Sequence, residues 1–387
     1  MWYFSSPEIV FGDEALSRLE HLSGTSAFIV TDANMVRLGF VDRVQARLAL
    51  AGMESAVFAE VEPDPSLQTV RRCAAAMAEY QPEWVIGLGG GSSMDAAKAA
   101  WFLYERPDVD LGAINPFEAF GLRAKARLIT IPTTSGTGAD VTQGVVLTDH
   151  DMQCKIVLAT RELQADIAIV DPSLVMELPA QITADTGIDV LTHAVEAYTC
   201  TWHNDFTDGL CLKAIELVFT YLPRAYADGT DAEAREHMHN AATIAGLAIT
   251  NAMVALAHSL AHSLGGVFHT PHGRTVGAFL PYTIEFTANA GSSRYGEIAR
   301  FLHLPANDEL EGAASFVTAF RELQARIRQP HSIRELGIEV DAFEEALPHL
   351  IANAEGDTQM VTSLRVPDRK ELERLFRYAY EGRTVDF

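Results

Sequence analysis

The sequence is poor in cysteine, and the few cysteines are scattered. Four occur in 387 residues, at Cys73, Cys154, Cys200 and Cys211, and none of them forms a CxxC pair. This usage is typical of reduced thiols in a cytosolic protein, so we expect a cytoplasmic location. The N-terminal stretch MWYFSSPEIVFG has no basic segment followed by an apolar one, and it therefore predicts no signal peptide.

Basic residues are also scarce. The chain has 29 lysines and arginines against 52 aspartates and glutamates, which gives a formal net charge of −23. This balance argues against nucleic acid or an anionic membrane as a partner, because phosphate groups need a basic face. The sequence has no uninterrupted apolar run long enough to span a bilayer. An acidic protein can still bind an anionic cofactor through its backbone amides.

The composition that remains is typical of a globular protein with two domains. Hydrophobic residues make up 48% and charged residues 21% of a chain that is too long for one ordinary core. Over residues 1–178, short β-rich runs alternate with helical periodicity, which predicts an α/β domain with a Rossmann-like parallel sheet covered by helices on both faces. The predicted strands are residues 26–32 and 55–61, the first parts of 83–102 and 127–140, the runs VVLTD and KIVLAT, and residues 165–172.

From residue 179 onward the apolar period becomes helical. The sequence therefore predicts an all-helical domain over 179–387 behind a dinucleotide-binding domain over 1–178. Five prolines fall between the predicted helices, where helix ends are expected: Pro271, Pro281, Pro305, Pro330 and Pro367. The predicted helices are 183–200, 207–223, 231–249, 252–265, 291–302, 309–327, 340–354 and 367–380.

A glycine-rich turn follows the strand predicted at the start of 83–102. Gly89, Gly90 and Gly91 separate the apolar run WVIGL from a helix that begins near Ser92. Glycines allow a ligand to approach the backbone closely and a helix N-terminus favours a phosphate, so the pattern indicates a pyrophosphate site. A tight turn with Ser92 or Ser93 as N-cap explains the same residues, and the run is not the usual GxGxxG signature.

Two further features favour a dinucleotide. Thr133, Thr134 and Thr137 lie in a hydroxyl-rich loop after another buried strand, and open α/β sheets bind ligands at such strand ends. Asp32 ends the strand FIVTD, where a carboxylate accepts hydrogen bonds from a ribose 2′-OH and repels a 2′-phosphate. We therefore expect NAD in preference to NADP, although Asp32 alone would be an ordinary turn residue.

The helical half carries one carboxylate and several histidines in a pattern that suits a metal. Asp189 and His193 are four residues apart in DVLTHAVEAY, so a helix would project them side by side. His258 and His262 repeat that spacing, and His272 follows two glycines and a proline, which predict a turn or loop. We predict that Asp189, His193, His258 and His272 hold one Fe²⁺ or Zn²⁺ ion, with a coordination position open for substrate.

Each of these residues alone has an ordinary explanation, as a helix carboxylate, a packed core histidine or a turn residue. Four of them together, beside dinucleotide-binding features, favour a metal site. Glu196 lies one turn beyond His193, where it could support a ligand or form a helix salt bridge.

Several long motifs, in this order, resemble those of the iron-containing (group III) alcohol dehydrogenases over nearly the whole chain. They are GGGSSMDAAK (89–98), IPTTSGTGADVT (131–142), DVLTHAVEAY (189–198), FTDGLCLKAIEL (206–217), HSLAHSLGG (258–266) and PHG (271–273). The resemblance implies the two-domain fold, a nicotinamide cofactor, and one catalytic metal, commonly Fe²⁺ and in some members Zn²⁺. It also implies a homo-oligomer, either a dimer or a larger assembly.

The family's site residues fall on matching positions of this sequence. The resemblance implies the four metal ligands given above, and it places His262 close to the metal and the nicotinamide as a histidine that is usually not a ligand. We take His262 as the candidate catalytic residue. The implied cofactor contacts are Asp32, Gly89, Gly90, Gly91, Ser92, Asp95, Thr133, Thr134, Thr137 and Lys155.

The predicted activity is NAD-dependent and metal-dependent interconversion of a small alcohol and its aldehyde or ketone. The metal would act as a Lewis acid on the alcohol oxygen, and hydride would pass to the nicotinamide. His262 could relay the proton to solvent or serve only as a wall of the site. Three alternatives stay open: a zinc-dependent polyol dehydrogenase of the glycerol type, a reductase of a carboxylated substrate with Arg274 as its cation, and a non-catalytic dinucleotide or metal sensor.

Overall fold

The structure is a computed structural model that describes residues 3–116, 118–149, 154–291 and 293–387. For Ala113, Asp149, Cys154 and Lys155 it describes the backbone alone. The chain divides into two compact units, Met1–Glu177 and Leu178–Phe387, each with its own apolar core.

The first unit is built on a six-stranded sheet whose neighbouring strands are all parallel. The strands are β1 (Glu8–Phe11), β2 (Ser26–Val30), β3 (Glu54–Phe58), β4 (Trp84–Gly89), β5 (Arg127–Pro132) and β8 (Ile167–Val170), in the order β1-β8-β5-β4-β2-β3. The α-helices of this unit are α1 (Ala33–Arg37), α2 (Phe40–Leu50), α3 (Leu67–Tyr80) and α4 (Gly91–Glu105).

Strand β4 shows how the sheet is buried on both faces. Trp84, Ile86 and Leu88 pack into one apolar cluster of the unit, whereas Val85 packs into the other. Successive side chains of a strand point to opposite faces, so each face of the sheet contributes to its own core. The prediction of an α/β unit with a parallel sheet is confirmed.

Two predicted strands do not belong to this sheet. β6 (Gly144–Asp149) and β7 (Cys154–Ala159) pair only with each other, as an antiparallel hairpin. Their interpretation as further strands of the parallel sheet was wrong. Only four residues join them, and neighbouring parallel strands need a crossover connection of about a dozen residues or more.

The second unit is helical throughout its described residues. Its central helix is α5, in which every residue from Gly187 to Thr199 is buried, and which packs against the three helices that follow it and against α9. The helices are α5 (Ala180–Thr199), α6 (Asp205–Ala227), α7 (Ala232–Asn251), α8 (Leu256–Phe268), α9 (His272–Ala288), α10 (Tyr295–Phe301), α11 (Glu309–Arg326), α12 (Val340–Gly356) and α13 (Arg369–Glu381).

Helix α9 departs from the sequence prediction. It runs through Pro281, which the sequence analysis places between helices. A proline inside a helix leaves the carbonyl four residues earlier unpaired, and here Gly277 O accepts a hydrogen bond from Gln324 Nε2 at 3.1 Å. Helix α8 also extends beyond its predicted end, to Phe268. His272 is the first residue of α9, so the prediction that it lies in a turn or loop was wrong.

Among the described helices, none is by itself both long and apolar enough to cross a membrane. Helices α7 and α8 meet the length and composition criteria only as a pair, and a bend of 103° separates them.

Candidate active site

Asp189, His193, His258 and His272 converge in the helical unit, and we call them the metal cluster. Each offers one ligand atom, and these atoms all lie within 4.8 Å of one another. Asp189 Oδ1 lies 3.7 Å from His193 Nε2 and 3.5 Å from His272 Nε2. Helix α5 supplies the first two residues, α8 supplies His258 and α9 supplies His272. The structure thus brings together the four side chains predicted as ligands.

Helix α9 reaches the metal cluster because two of its residues lack a side chain. A Cβ atom on Gly273 would lie 2.1 Å from Asp185 O, and one on Gly277 would lie 2.2 Å from Ile188 Cγ2. These glycines are four residues apart and share a helix face, so α9 packs directly on α5. This close packing places His272 in the cluster.

Three buried side-chain atoms of the cluster have no hydrogen-bond partner in the described structure, and two of them, on Asp189 and His258, bear on metal binding. Asp189 Oδ1 and His258 Nε2 are buried and unpaired within the described structure. An unpaired buried carboxylate oxygen or imidazole nitrogen is costly, and a coordinated cation would satisfy both atoms. One carboxylate and three imidazoles are also the donors that a first-row divalent ion prefers, so the residues present fit such an ion.

The protonation states suit the same role. Burial raises the pKa of Asp189, but the neighbouring histidines, His193 first, outweigh burial and leave that pKa below its ordinary value. Burial lowers the pKa of His258 to well below its ordinary value. Asp189 is therefore ionised and His258 neutral near pH 7, as metal coordination requires.

Glu196 contacts the side of His258 that faces away from the unpaired nitrogen. Glu196 Oε2 lies 2.5 Å from His258 Nδ1 and accepts a hydrogen bond from the Ala255 N–H at 2.9 Å. Oε1 accepts one from the Ala257 N–H at 2.6 Å. Burial raises the pKa of Glu196 to about 7. Two roles were considered from the sequence, support of a ligand and a helix salt bridge. This contact fits the first, because His258 is a predicted ligand and lies on another helix.

His262 lies beside the metal cluster. Its ring centroid is 5.5 Å from that of His272 and 5.9 Å from that of His258. Its Nδ1 lies 2.8 Å from Asp357 Oδ2. Burial raises the pKa of Asp357, but the hydrogen bond and the charge of His262, together with the hydrogen bond from the Gln359 N–H, outweigh burial and leave that pKa below its ordinary value. Sequence reasoning missed Asp357, which lies 95 residues from His262 and outside every motif.

The glycine loop, Gly89–Gly91, joins β4 to α4 in the first unit. Gly89 has a φ of +143°, and a Cβ atom there would lie 2.6 Å from Ser93 Oγ, so this turn requires glycine. Gly90 is the N-cap of α4 and provides no side-chain cap. The alternative of Ser92 or Ser93 as N-cap is therefore wrong. The N-cap residue of α4 thus offers no side-chain oxygen to the first N–H groups of the helix, and such groups suit an anion.

The threonine loop, Thr133–Gly138, lies against the glycine loop. Cβ atoms built on Gly90 and Gly91 would lie 3.5 and 2.9 Å from the Cγ2 atoms of Thr134 and Thr137. The two predicted cofactor segments are therefore adjacent, and both follow the ends of parallel strands.

Asp32 lies on the other side of the same glycines. Its Oδ1 accepts a hydrogen bond from the Asn34 N–H at 2.7 Å, which caps α1, and its Oδ2 accepts one from Ser93 Oγ at 3.3 Å. A Cβ atom on Gly89 would lie 3.6 Å from Asp32 Oδ2, and the Thr133 N–H donates to Gly89 O at 2.9 Å. Asp32 and the threonine loop thus flank Gly89.

Asp95 faces the β6–β7 hairpin. Its Oδ2 accepts a hydrogen bond from the Val146 N–H at 2.8 Å, and Lys98 Nζ donates to Thr142 O at 2.7 Å. Burial raises the pKa of Asp95 to about 6 and lowers that of Lys98 to about 8. These contacts tie α4 to the hairpin. Sequence reasoning missed Lys98, although a lysine in the apolar run AAKAAWF was a signal. The side chain of Lys155 lies outside the described part of the structure.

Known proteins match both units of the chain. The family described as iron-containing alcohol dehydrogenase matches residues 6–172, and the C-terminal part of the Fe-containing alcohol dehydrogenase family matches residues 183–380. An NADPH-dependent butanol dehydrogenase from Clostridium saccharobutylicum is 39% identical over 390 residues, which cover 100% of both chains.

Two further matches differ in coverage. Aldehyde-alcohol dehydrogenase 2 from Entamoeba histolytica is 39% identical over 405 residues, which cover 98% of this chain and 46% of that protein. The chain therefore spans about half the length of that relative. The crystal structure of a 1,3-propanediol oxidoreductase superposes with a TM-score of 0.92 at 31% identity, over 98% of this chain and 100% of that one.

Proposed function

This chain belongs to the family of iron-containing alcohol dehydrogenases, and from that premise we propose an NAD-dependent, Fe²⁺-dependent enzyme for small uncharged alcohols and their aldehydes or ketones. Family membership confirms the resemblance seen in the motifs and the assignment as an alcohol dehydrogenase. The observation that supports the proposed metal-dependent reaction most directly is that the four ligand atoms of the metal cluster lie within 4.8 Å of one another.

The metal cluster is the proposed site of the divalent ion. The unpaired atoms Asp189 Oδ1 and His258 Nε2 support this assignment, because an ion would satisfy both. When bound, the ion would supply a Lewis acid for the substrate oxygen. These ligand types accept Fe²⁺ and Zn²⁺ alike, and the family description favours iron.

The glycine loop and the threonine loop are the proposed site of the dinucleotide. The uncapped N-terminus of α4 suits its pyrophosphate, and Asp32 favours a free ribose 2′-OH over a 2′-phosphate. The Clostridium relative is named for NADPH. We propose that this chain differs from that relative by preferring NAD.

Oxidation of an alcohol releases a proton as well as a hydride, and we assign the proton to His262. With its Nδ1–H donating to Asp357, the ring keeps Nε2 free to accept a proton. The His262 side chain is 21% exposed, so it can pass that proton to water. The nicotinamide would accept the hydride.

A carboxylated substrate fits this chain less well. It would need a cation, and Arg274 was the candidate from the sequence. Arg274 Nε and Nη2 donate to the two carboxylate oxygens of Asp185 at 3.0 Å each, so this guanidinium is already paired. An uncharged alcohol needs no such partner.

Metal analysis and a substrate panel test the proposal. Protein purified without oxygen should contain iron equimolar with the chain, and it should oxidise 1-butanol and 1,3-propanediol faster with NAD than with NADP. Removal of the iron with a chelator should abolish this activity, and Fe²⁺ should restore it. Activity with glycerol but with neither of those alcohols, or activity that survives complete iron removal, would contradict the proposal.

A further inference from the structure

Glu196 is more deeply engaged than a helix-surface carboxylate. Its side chain and that of His258 are each at most 5% exposed. Both carboxylate oxygens are used, one by the Ala257 N–H and the other by the Ala255 N–H and His258 Nδ1. One carboxylate on α5 therefore contacts both the backbone and the side chain of the first turn of α8.

The backbone contacts replace a missing helix cap. Ala255 is the N-cap residue of α8 and has no side-chain oxygen to bind the first N–H groups. Glu196 accepts hydrogen bonds from two of these groups instead, and its negative charge suits the positive end of the helix dipole. The start of α8, and with it the backbone of His258, is thereby attached to the helix that carries Asp189 and His193.

The side-chain contact sets the tautomer of His258. When Nδ1 carries the hydrogen and donates it to Glu196, Nε2 keeps its lone pair, and Nε2 is the atom that is buried without a partner. The second nitrogen of His193, Nδ1, has no partner in the described structure, so this support is not shared by every ligand of the cluster.

From these contacts we propose that Glu196 is a positioning residue for the metal ligand His258, which it holds with Nε2 aimed at the ion while it caps the helix that carries the ligand. The inference rests on the proposed metal site. Its consequence is that loss of Glu196 weakens metal binding itself, beyond any loss of folding stability. A carboxylate that orients a histidine ligand in this way is typically worth about 10- to 100-fold in metal affinity.

The test is Glu196→Gln, measured by competition for Zn²⁺ between the metal-free protein and a chromophoric chelator. Glutamine keeps the shape but has one acceptor oxygen, so it cannot accept from both backbone N–H groups and from His258. We expect the Zn²⁺ dissociation constant to rise about 10- to 100-fold. Glu285→Gln is the control, because Glu285 also accepts a hydrogen bond from a backbone N–H, that of Val385, in a partly buried position, yet lies 13 residues beyond His272 on α9.

The outcomes separate the possible failures. A variant that unfolds at lower temperature without metal but binds Zn²⁺ within about twofold of wild type would overturn the inference, because Glu196 would then be only a helix cap. A wild-type chain that binds neither Zn²⁺ nor Fe²⁺ would contradict the proposed function instead. If Glu196→Gln does not fold, a crystal structure of the Zn²⁺-loaded wild type decides: coordination through His258 Nε2 supports the inference, and coordination through Nδ1 overturns it.

Discussion

The metal cluster and the glycine loop hold their proposed ligands in opposite ways. The cluster consists of four ionisable side chains that three helices bring within 4.8 Å of one another. The glycine loop offers backbone N–H groups at the start of one helix and has no side chain in the way. One site depends on charge and the other on shape.

This difference has an energetic consequence. Buried carboxylates and imidazoles need hydrogen bonds or a bound cation, and in the described structure Asp189 Oδ1 and His258 Nε2 have no hydrogen-bond partner. Exposed N–H groups at a helix start can bind water when no ligand is present. The helical unit should therefore depend on its ligand for stability, whereas the α/β unit should depend on its ligand much less.

The largest effect should come from a change in the cluster, His258→Ala. Loss of a ligand from a Lewis-acid site should remove several kcal/mol of transition-state stabilisation and lower kcat about 1,000-fold. The iron content should fall in parallel, because three ligands remain. NAD affinity, measured by titration calorimetry, should stay within about twofold if the two sites are independent.

His349→Ala is the control for the histidine change, because His349 is exposed on α12 and belongs to no site. A His258→Ala protein that kept its iron and its alcohol-dependent NADH formation would show that the cluster is structural.

A second substitution tests whether the carboxylate of Asp357, which is not a predicted metal ligand, is needed for proton transfer by His262. In Asp357→Asn, the amide oxygen can keep the Gln359 N–H bond, but the NH₂ group then faces His262 Nδ1. His262 would be forced to place its hydrogen on Nε2, which removes the proton acceptor. We expect kcat to fall about 100-fold with both NAD and NADP, at unchanged iron content.

Asp341→Asn, an exposed aspartate on α12, should change nothing. If kcat is unchanged in Asp357→Asn, His262 does not accept the proton and only lines the site.

The same contrast explains which parts of the fold the sequence predicts. The parallel sheet was predictable because the apolar pattern of a strand such as β4 is local. Helix α9 was not, since the partner that satisfies the carbonyl freed by Pro281 is Gln324, on another helix. The β6–β7 hairpin was assigned to the wrong sheet because apolar alternation identifies a strand but not its neighbour.

The candidate site divides in the same manner. The glycine loop and the Asp189/His193 pair are local patterns, so residue type and spacing were enough to single them out. Glu196 and Asp357 contact His258 and His262, which lie 62 and 95 residues away in the sequence. No local sequence pattern identifies such a contact. The supporting carboxylates of a side-chain site are therefore the part that sequence reasoning reaches last.

In the α/β unit, Gly89→Ala should weaken dinucleotide binding through shape alone. Alanine is strained at a φ of +143°, by about 1 to 3 kcal/mol, and its Cβ would lie 2.6 Å from Ser93 Oγ. The NAD dissociation constant should rise about 10-fold or more, whereas iron content should not change. Gly209→Ala is the control, because a Cβ on that helical residue meets nothing within 4 Å. Loss of iron in Gly89→Ala would show that the two sites are coupled.

The smallest and most selective change is Asp32→Asn, the counterpart of Asp357→Asn in the other unit. Asparagine caps a helix as well as aspartate does, so the bond from the Asn34 N–H survives and only the charge is lost. Repulsion of a 2′-phosphate should then weaken, and kcat/KM with NADP relative to NAD should rise about 10-fold. Asp110→Asn is matched, since Asp110 also accepts an N–H bond as a cap, from Gly112. An equal loss of rate with both cofactors would mean that Asp32 acts through the fold of α1, and the glycine loop region would then depend on shape alone.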